Sequence, residues 1–195
     1  GVRHLLVHSL RADYALVAAN TSDAYGNLVW RGSSRCSAVE MAMNARHTIV
    51  QADTVTTDVI NPNTVALSGA FVGTIYPTRK FGQNWRHRRD STRDRVGEII
   101  GRRIARDLPS DSIVEFGFGL PWFAFDYLPK DQGIMVHSEG LLGINSVVPV
   151  DQPDTGVRSA YGDADDFGRL GSVQTFDHSF KLINAGLVDV AVLGA

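Results

Sequence analysis

The chain has 195 residues, of which 44% are hydrophobic and 21% are charged, and its formal net charge at pH 7 is −2. These figures are typical of a globular protein with a core of ordinary size, folded as one domain or as two small ones. The slightly acidic balance argues against a protein that binds polyanions over its whole surface. No apolar run reaches the roughly 18 residues that a transmembrane helix needs.

The cysteine content and the first residues indicate the cellular setting. Cys36 is the only cysteine, so an internal disulfide is excluded, and we expect a protein of the reducing cytoplasm. Gly1-Val2-Arg3-His4 has no signal-peptide pattern, and the missing initiator Met indicates processing, a tag scar or an excised fragment. The histidines show no metal-ligand spacing, so we predict no metal site.

In residues 1–78, predicted strands alternate with one helix. Ser37 is followed three residues later by Glu40, which is the capping-box pattern and predicts a helix over residues 37–46. The apolar run at residues 12–19 is typical of a buried parallel strand. Further strands are predicted over residues 28–30 and 48–52.

Residues 79–93 differ from their surroundings, because they hold many arginines and few aliphatic residues. We interpret them as a basic linker. A nucleic-acid or phosphate patch is the alternative. Acidic residues such as Asp90 and Asp94 are interspersed with the arginines, which favours a solvated linker and helix face, so we do not expect nucleic-acid binding.

Residues 94–195 continue the alternation of helices and strands. Helices are predicted over residues 94–107, 121–128 and 177–186, and strands over residues 113–116, 134–137 and 188–195. Residues 150–172 are rich in Asp and Gly and are predicted to form a long loop. The alternation predicts an α/β protein with an open, largely parallel sheet and flanking helices.

Two short motifs follow predicted strands, where open α/β sheets place their chemistry. Ser138-Glu139-Gly140 follows the strand at residues 134–137, and Leu141-Leu142-Gly143 is predicted as the turn after it. Phe116-Gly117-Phe118-Gly119-Leu120-Pro121 follows the strand at residues 113–116. Together they predict a carboxylate in a pocket rimmed by backbone amides.

These motifs resemble the second half of the family I coenzyme A transferases, and the whole chain is similar to the middle of a fused 3-oxoacid CoA transferase. Residues 10–52 resemble the end of the family's first (α) domain, on the stretch Asp23-Ala24-Tyr25-Gly26-Asn27-Leu28-Val29. Residues 94–195 resemble the start of its second (β) domain, on the two motifs above and on Val188-Asp189-Val190-Ala191-Val192-Leu193-Gly194-Ala195.

The resemblance implies an acyl-CoA:carboxylate CoA transferase, in which Glu139 attacks the acyl-CoA and then carries CoA as a glutamyl thioester. It implies glycine N–H groups beside Glu139 that face the developing oxyanion. CoA is then a substrate, not a bound cofactor, and the expected ligands are a small acyl-CoA and a carboxylate. The residues that the resemblance assigns to substrate and CoA binding are Glu115, Gly117, Phe118, Gly119, Ser138 and Gly140.

Three departures from the family pattern open alternatives. The family's Asn after the nucleophilic glutamate is absent, and Glu115 stands where the family has Asn. A second carboxylate near Glu139 raises one of the two pKa values, which favours general acid–base catalysis in a CoA-ester hydrolase. The alternative is that Glu115 forms a salt bridge with an arginine. The family's outer halves are also absent, which leaves a non-catalytic CoA-binding or assembly module as a third interpretation.

The missing halves also bear on the domain organisation. We expect residues 1–78 to correspond to the late half of an α-type domain, residues 79–93 to the linker, and residues 94–195 to the early half of a β-type domain. Because the two family domains share one fold, we hypothesise that both halves complete a single sheet, as one circularly permuted domain. A homodimer would then supply the two domains of an ordinary active site.

Overall fold

The computed structural model describes residues 3–78, 91–147 and 165–194. The contacts within the chain divide it into two compact units. The first unit comprises Gly1–Trp30 and Ser37–Lys80, and the second comprises Arg31–Cys36 and Phe81–Ala195. Within the described ranges, no helix is both long and apolar enough to cross a membrane.

The first unit contains a four-stranded sheet with the strand order β2-β1-β3-β4. Strands β1, β3 and β4 are parallel, and β2 is antiparallel to β1. The elements are β1 (Ala12–Ser22), β2 (Leu28–Val29), α1 (Ala38–Met43), β3 (Ala45–Val55) and β4 (Thr74–Pro77). The predicted strands of this region are therefore confirmed. The buried core includes Leu28, Trp30, Val50 and Leu67.

Two details of the first unit differ from the prediction. Strand β1 is buried on one face only, since Ala15 and Val17 are buried while Leu16 between them is exposed. The helix ends at Met43, and the predicted capping box is wrong: the Ser37 side chain makes no cap hydrogen bond and instead lies 3.8 Å from the sulfur of Met41.

The second unit contains a five-stranded sheet with the strand order β8-β7-β6-β5-β9. Strands β9, β5 and β6 are parallel, whereas β7 and β8 are antiparallel. The elements are α2 (Ser91–Asp107), β5 (Ile113–Phe116), a 3-10 helix (Leu120–Tyr127), β6 (Met135–Ser138), β7 (Leu141–Val147), β8 (Asp165–Val173), α3 (Phe176–Asn184) and β9 (Val190–Val192).

The core of the second unit is aromatic in its centre. Trp122 meets Phe116 edge-on at a ring distance of 6.0 Å and stacks on Phe125 at 5.1 Å. Valines of β5 and β6 and Leu141 of β7 pack around these rings. The neighbouring Phe118 is exposed and lies outside this core.

The α/β class with open sheets and flanking helices is confirmed, with three corrections. The sheets are mixed, because residues 141–143, predicted as a turn, begin the antiparallel strand β7, and residues 165–172 of the predicted loop lie in β8. The described strands form two sheets, whereas the hypothesis of one circularly permuted domain expects a single sheet. Residues 91–93 of the predicted linker begin α2, and residues 79–90 of the linker and 150–164 of the predicted loop lie outside the described residues.

Only part of the apolar face of helix α2 is buried. Val96 and Ile99 are exposed, whereas Ile104 packs against the core and Leu108, just after the helix, is buried. A Cβ atom at Gly101 would lie 2.5 Å from the carbonyl oxygen of Phe123. Glycine therefore permits close backbone contact between α2 and the 3-10 helix, and this contact sets which face of α2 is buried.

Candidate active site at the 139–140 turn

Glu139 and Gly140 form the two-residue turn of the hairpin between β6 and β7. Ser138 and Leu141 are paired on either side of it. Both turn residues have positive φ, 47° at Glu139 and 86° at Gly140. Two-residue hairpins that need positive φ at both positions strongly prefer Asn-Gly. A glutamate in the left-handed region is strained, and strain of this kind concentrates at functional sites.

The turn is fixed by contacts with α3 and the residue before its N-cap. The backbone N–H of Gly140 donates to Ser179 Oγ at 3.1 Å, and its carbonyl accepts from the N–H of Gln174 at 2.7 Å. A Cβ at position 140 would lie 2.6 Å from the carbonyl oxygen of Gln174. Only glycine fits here, and the two hydrogen bonds determine where Glu139 lies.

Glu115 and His137 are direct neighbours on the parallel strands β5 and β6. His137 is buried, and its Nδ1 contacts the Oε2 of Glu115, whose side chain is 15% exposed. Neither atom has another hydrogen-bond partner among the described residues. On its other side, His137 Nε2 lies 2.8 Å from Ser179 Oγ. The partner of Glu115 is thus a histidine, not the arginine considered from the sequence.

Both carboxylates open onto one cavity of about 150 Å³. The polar groups in its wall are Glu115, Glu139 and Ser179, and the rest of the wall is largely aromatic or aliphatic. Phe176 and Phe180, four residues apart on α3, meet edge to face at a ring distance of 5.1 Å. The described residues that line it are Glu115, Phe116, Gly117, Phe118, Glu139, Phe176, Ser179, Phe180 and Ile183.

The surroundings of Glu139 raise the pKa of its carboxyl above the ordinary value. Partial burial is the larger cause, and the negative charge of Glu115 adds to it. Both effects penalise the charged form. The sequence indicated that two carboxylates here would push one pKa upward, and the structure assigns this rise to Glu139.

The structure brings four of the predicted site residues together, namely Glu115, Gly117, Phe118 and Glu139. Ser138, Gly119 and Gly140 do not line the cavity. The Ser138 hydroxyl donates to the carbonyl of Phe116 at 3.0 Å, which ties β6 to β5. The N–H groups of Gly117 and Gly140 donate to the carbonyl of Val192 and to Ser179 Oγ, and the oxyanion contact of the glycines stays a prediction.

The sequence did not predict that α3 forms one wall of the cavity. Phe176, Phe180 and Ile183 recur at spacings of four and three residues, which is the signal of one helix face. That signal identifies a helix face but does not reveal which face lines a cavity. Within residues 3–78, 91–147 and 165–194, no three His, Cys, Asp or Glu side chains are grouped to hold a metal ion.

The chain is similar in sequence to known CoA transferases. It is 28% identical over 207 residues to the mitochondrial succinyl-CoA:3-ketoacid coenzyme A transferase 2A of Mus musculus, which covers 98% of this chain and 39% of that protein. It is 38% identical over 98 residues to the acetate CoA-transferase subunit beta of Haemophilus influenzae, which covers 50% of this chain and 44% of that subunit. No family model matches.

The fold of the chain is also similar to that of a solved CoA transferase. An acyl-CoA transferase of Escherichia coli, solved as a thioester complex with CoA, superimposes with a TM-score of 0.65 at 14% identity, covering 92% of this chain and 37% of that one. The chain thus spans about two fifths of the length of the relatives it matches. The resemblance to the family I CoA transferases is confirmed in sequence and in fold.

Proposed function

We propose that this relative of the CoA transferases moves CoA between an acyl-CoA and a carboxylate, with Glu139 as the nucleophile that becomes a glutamyl-CoA thioester. One observation carries the proposal. Glu139 occupies a strained turn that opens onto a mostly apolar cavity. The names of the relatives in sequence support transfer as the reaction class.

The cavity supports a small reacting group as the ligand. Sites for drug-sized ligands span about 300 to 1,000 Å³, whereas this cavity measures about 150 Å³. It therefore receives the acyl end and the thioester, and the bulk of CoA lies elsewhere. Phe118, Phe176 and Phe180 place aromatic surface beside the attacking carboxylate, which suits the apolar part of an acyl group.

The protonation state of Glu139 sets the pH range of the reaction. Only the ionised carboxylate can attack, and the pKa of Glu139 is raised. Transfer is therefore lost as the pH falls through a value above the ordinary carboxyl range. A mutation that removes the charge of Glu115 should move this loss to lower pH, because the charge of Glu115 is one cause of the shift.

Intact-protein mass spectrometry tests the proposal. The purified protein is incubated with succinyl-CoA or acetoacetyl-CoA and compared with Glu139→Gln, which keeps the shape and removes the nucleophile. Glu98→Gln is the matched control, since Glu98 lies on the exposed face of α2 and pairs with Arg102. We expect an adduct of the mass of CoA in the wild type and in Glu98→Gln, and none in Glu139→Gln.

Two results would contradict the proposal. An adduct that persists in Glu139→Gln would place the nucleophile elsewhere. No adduct with either thioester, in a protein that is folded by circular dichroism, would mean that Glu139 does not attack and that the chain acts by binding alone.

Two further expectations from the sequence belong to this proposal. The homodimer would supply a second copy of the site, and sedimentation equilibrium over a range of concentrations decides between monomer and dimer. The cytoplasmic location also stays a prediction; fluorescent tagging of the full-length protein in its own cells tests it.

A further inference from the structure

Glu115, His137 and Ser179 form a hydrogen-bonded row whose proton positions can be worked out. Ser179 Oγ accepts the N–H of Gly140, so its own hydroxyl proton is left to point at His137 Nε2, 2.8 Å away. Nε2 is then the nitrogen without a proton. Nδ1 carries the proton and faces the carboxylate of Glu115.

The row has the order carboxylate, imidazole, hydroxyl, which moves protons in many acyl-transfer enzymes. A hydroxyl oxygen has two acceptor positions, and in Ser179 the Gly140 N–H occupies one of them. The second remains to accept a proton. Ser179 lines the cavity together with Glu139, so the hydroxyl end of the row reaches the place where the thioester would form.

Exchange of CoA between two carboxylates does not need such a row. Carboxylate and thiolate are the nucleophiles and leaving groups in each step, and no net proton moves. Water is different, because it must lose a proton as it attacks and the departing thiolate must gain one. CoA transfer therefore gives no role to a proton-carrying row beside Glu139, whereas hydrolysis of the thioester does.

We propose that Glu115, His137 and Ser179 form a proton relay that lets water attack a CoA thioester in this cavity, so that the site hydrolyses CoA esters besides transferring CoA. The glutamyl-CoA form of this substrate rests on the proposed function; the acyl-CoA form does not. Ser179 is the catalytic residue of the relay, and His137 and Glu115 act through it.

The step balances in atoms and charges. The water oxygen bonds to the thioester carbonyl carbon while a water proton passes to Ser179 Oγ and the Ser179 proton passes to His137 Nε2. Glu115 stabilises the imidazolium. The carbon–sulfur bond then breaks, and the proton returns from His137 through Ser179 to the CoA sulfur. The products are a carboxylic acid and CoA with a free thiol.

Two rates measured on the same protein test the relay: formation of the protein-bound CoA adduct, and release of free thiol with no carboxylate acceptor present. The variants are Ser179→Ala and Ser179→Thr, which keeps a hydroxyl. Ser112→Ala is the matched control, because Ser112 is also buried in the second unit but bonds to the carbonyl of Pro109. General acid–base groups contribute about 10² to 10⁴-fold.

We expect Ser179→Ala to slow thiol release by about 100-fold or more, much more than it slows adduct formation. Ser179→Thr should recover part of the release rate, and Ser112→Ala should match the wild type. If Ser179 has only a structural role, Ser179→Ala should slow adduct formation and thiol release equally, and this result would overturn the relay. An acyl group found on Ser179 by peptide mapping would also overturn it, since Ser179 would then be a nucleophile.

The two proposals fail separately. If no adduct forms but thiol is released and Ser179→Ala blocks the release, the relay acts on acyl-CoA directly and the transfer proposal is wrong. If an adduct forms and is stable in water, transfer stands and the relay is wrong. If neither adduct nor thiol appears, both are wrong.

Discussion

Replacing Gly140 by alanine should destabilise the second unit far more than the same change at another glycine with positive φ. The added Cβ at position 140 would lie 2.6 Å from the carbonyl oxygen of Gln174. Gly186 offers the comparison, because its φ is 71° against 86° at Gly140 and nothing lies within 4 Å of its added Cβ. The pair separates the clash from the cost of the backbone conformation.

The expected magnitudes follow from the structure. An L-residue in the left-handed region costs roughly 1 to 2 kcal/mol, and Gly→Ala regains about 0.5 to 1 kcal/mol through the unfolded chain. Gly186→Ala should therefore lose about 1 kcal/mol or less. Gly140→Ala also breaks the hydrogen bonds to Gln174 and Ser179, each worth about 1 kcal/mol, so its loss should approach about 3 kcal/mol.

Urea denaturation followed by circular dichroism measures both losses. The midpoint for Gly140→Ala should fall well below that for Gly186→Ala, with little change in the slope of the transition. Gly140→Ala should also lose adduct formation, since the turn that holds Glu139 has moved. Equal midpoints for the two variants would refute the reasoning, because the turn would then not be held against α3 as described.

Three further predictions concern single residues. Glu139→Gln should raise stability at neutral pH and leave it unchanged well below pH 4.5, because a raised folded-state pKa means that ionisation destabilises the fold; melting curves at both pH values test this. Glu139→Asn should raise the melting temperature above that of Glu139→Gln, since Asn tolerates positive φ, and equal temperatures would argue against backbone strain. Burial raises the pKa of Asp23, but hydrogen bonds from Asn27, Ile60 and Tyr25 lower it overall. The ionised Asp23 should therefore stabilise the fold above pH 3.8, and this stabilisation should be lost below that pH. An Asp23→Asn variant whose melting temperature depends on acid pH as in the wild type would contradict this.

The sequence predicted most strands and helices of the described chain because their signals are local. Apolar runs at residues 12–19 and 113–116 and the glycine after α3 each act over a few residues. The missed strand β7 had the same kind of local signal, but Leu141-Leu142-Gly143 was interpreted as a turn. The true turn is shorter, because Glu139 itself adopts the left-handed conformation that glycine usually supplies.

The contents of the site were only half predictable. Motif resemblance identified Glu139 and Glu115, and the register of two parallel strands then places Glu115 beside His137. Ser179 lies 42 residues from His137 in sequence, so their contact depends on how α3 packs on the β6–β7 hairpin. Hydrophobic periodicity describes one helix or strand at a time, so it does not predict how two distant elements pack together. The same limit explains why Val96 and Ile99, on the apolar face of α2, are exposed.

The most direct test of Glu139 as the CoA-carrying residue is peptide mapping after reduction. The protein is incubated with succinyl-CoA and treated with borohydride, which reduces a glutamyl thioester to the alcohol, and is then digested and sequenced by mass spectrometry. We predict that the modification lies on Glu139 and on no other glutamate, Glu115 included. An unmodified Glu139, with the change on Glu115 or on Ser179, would contradict the assignment of the nucleophile.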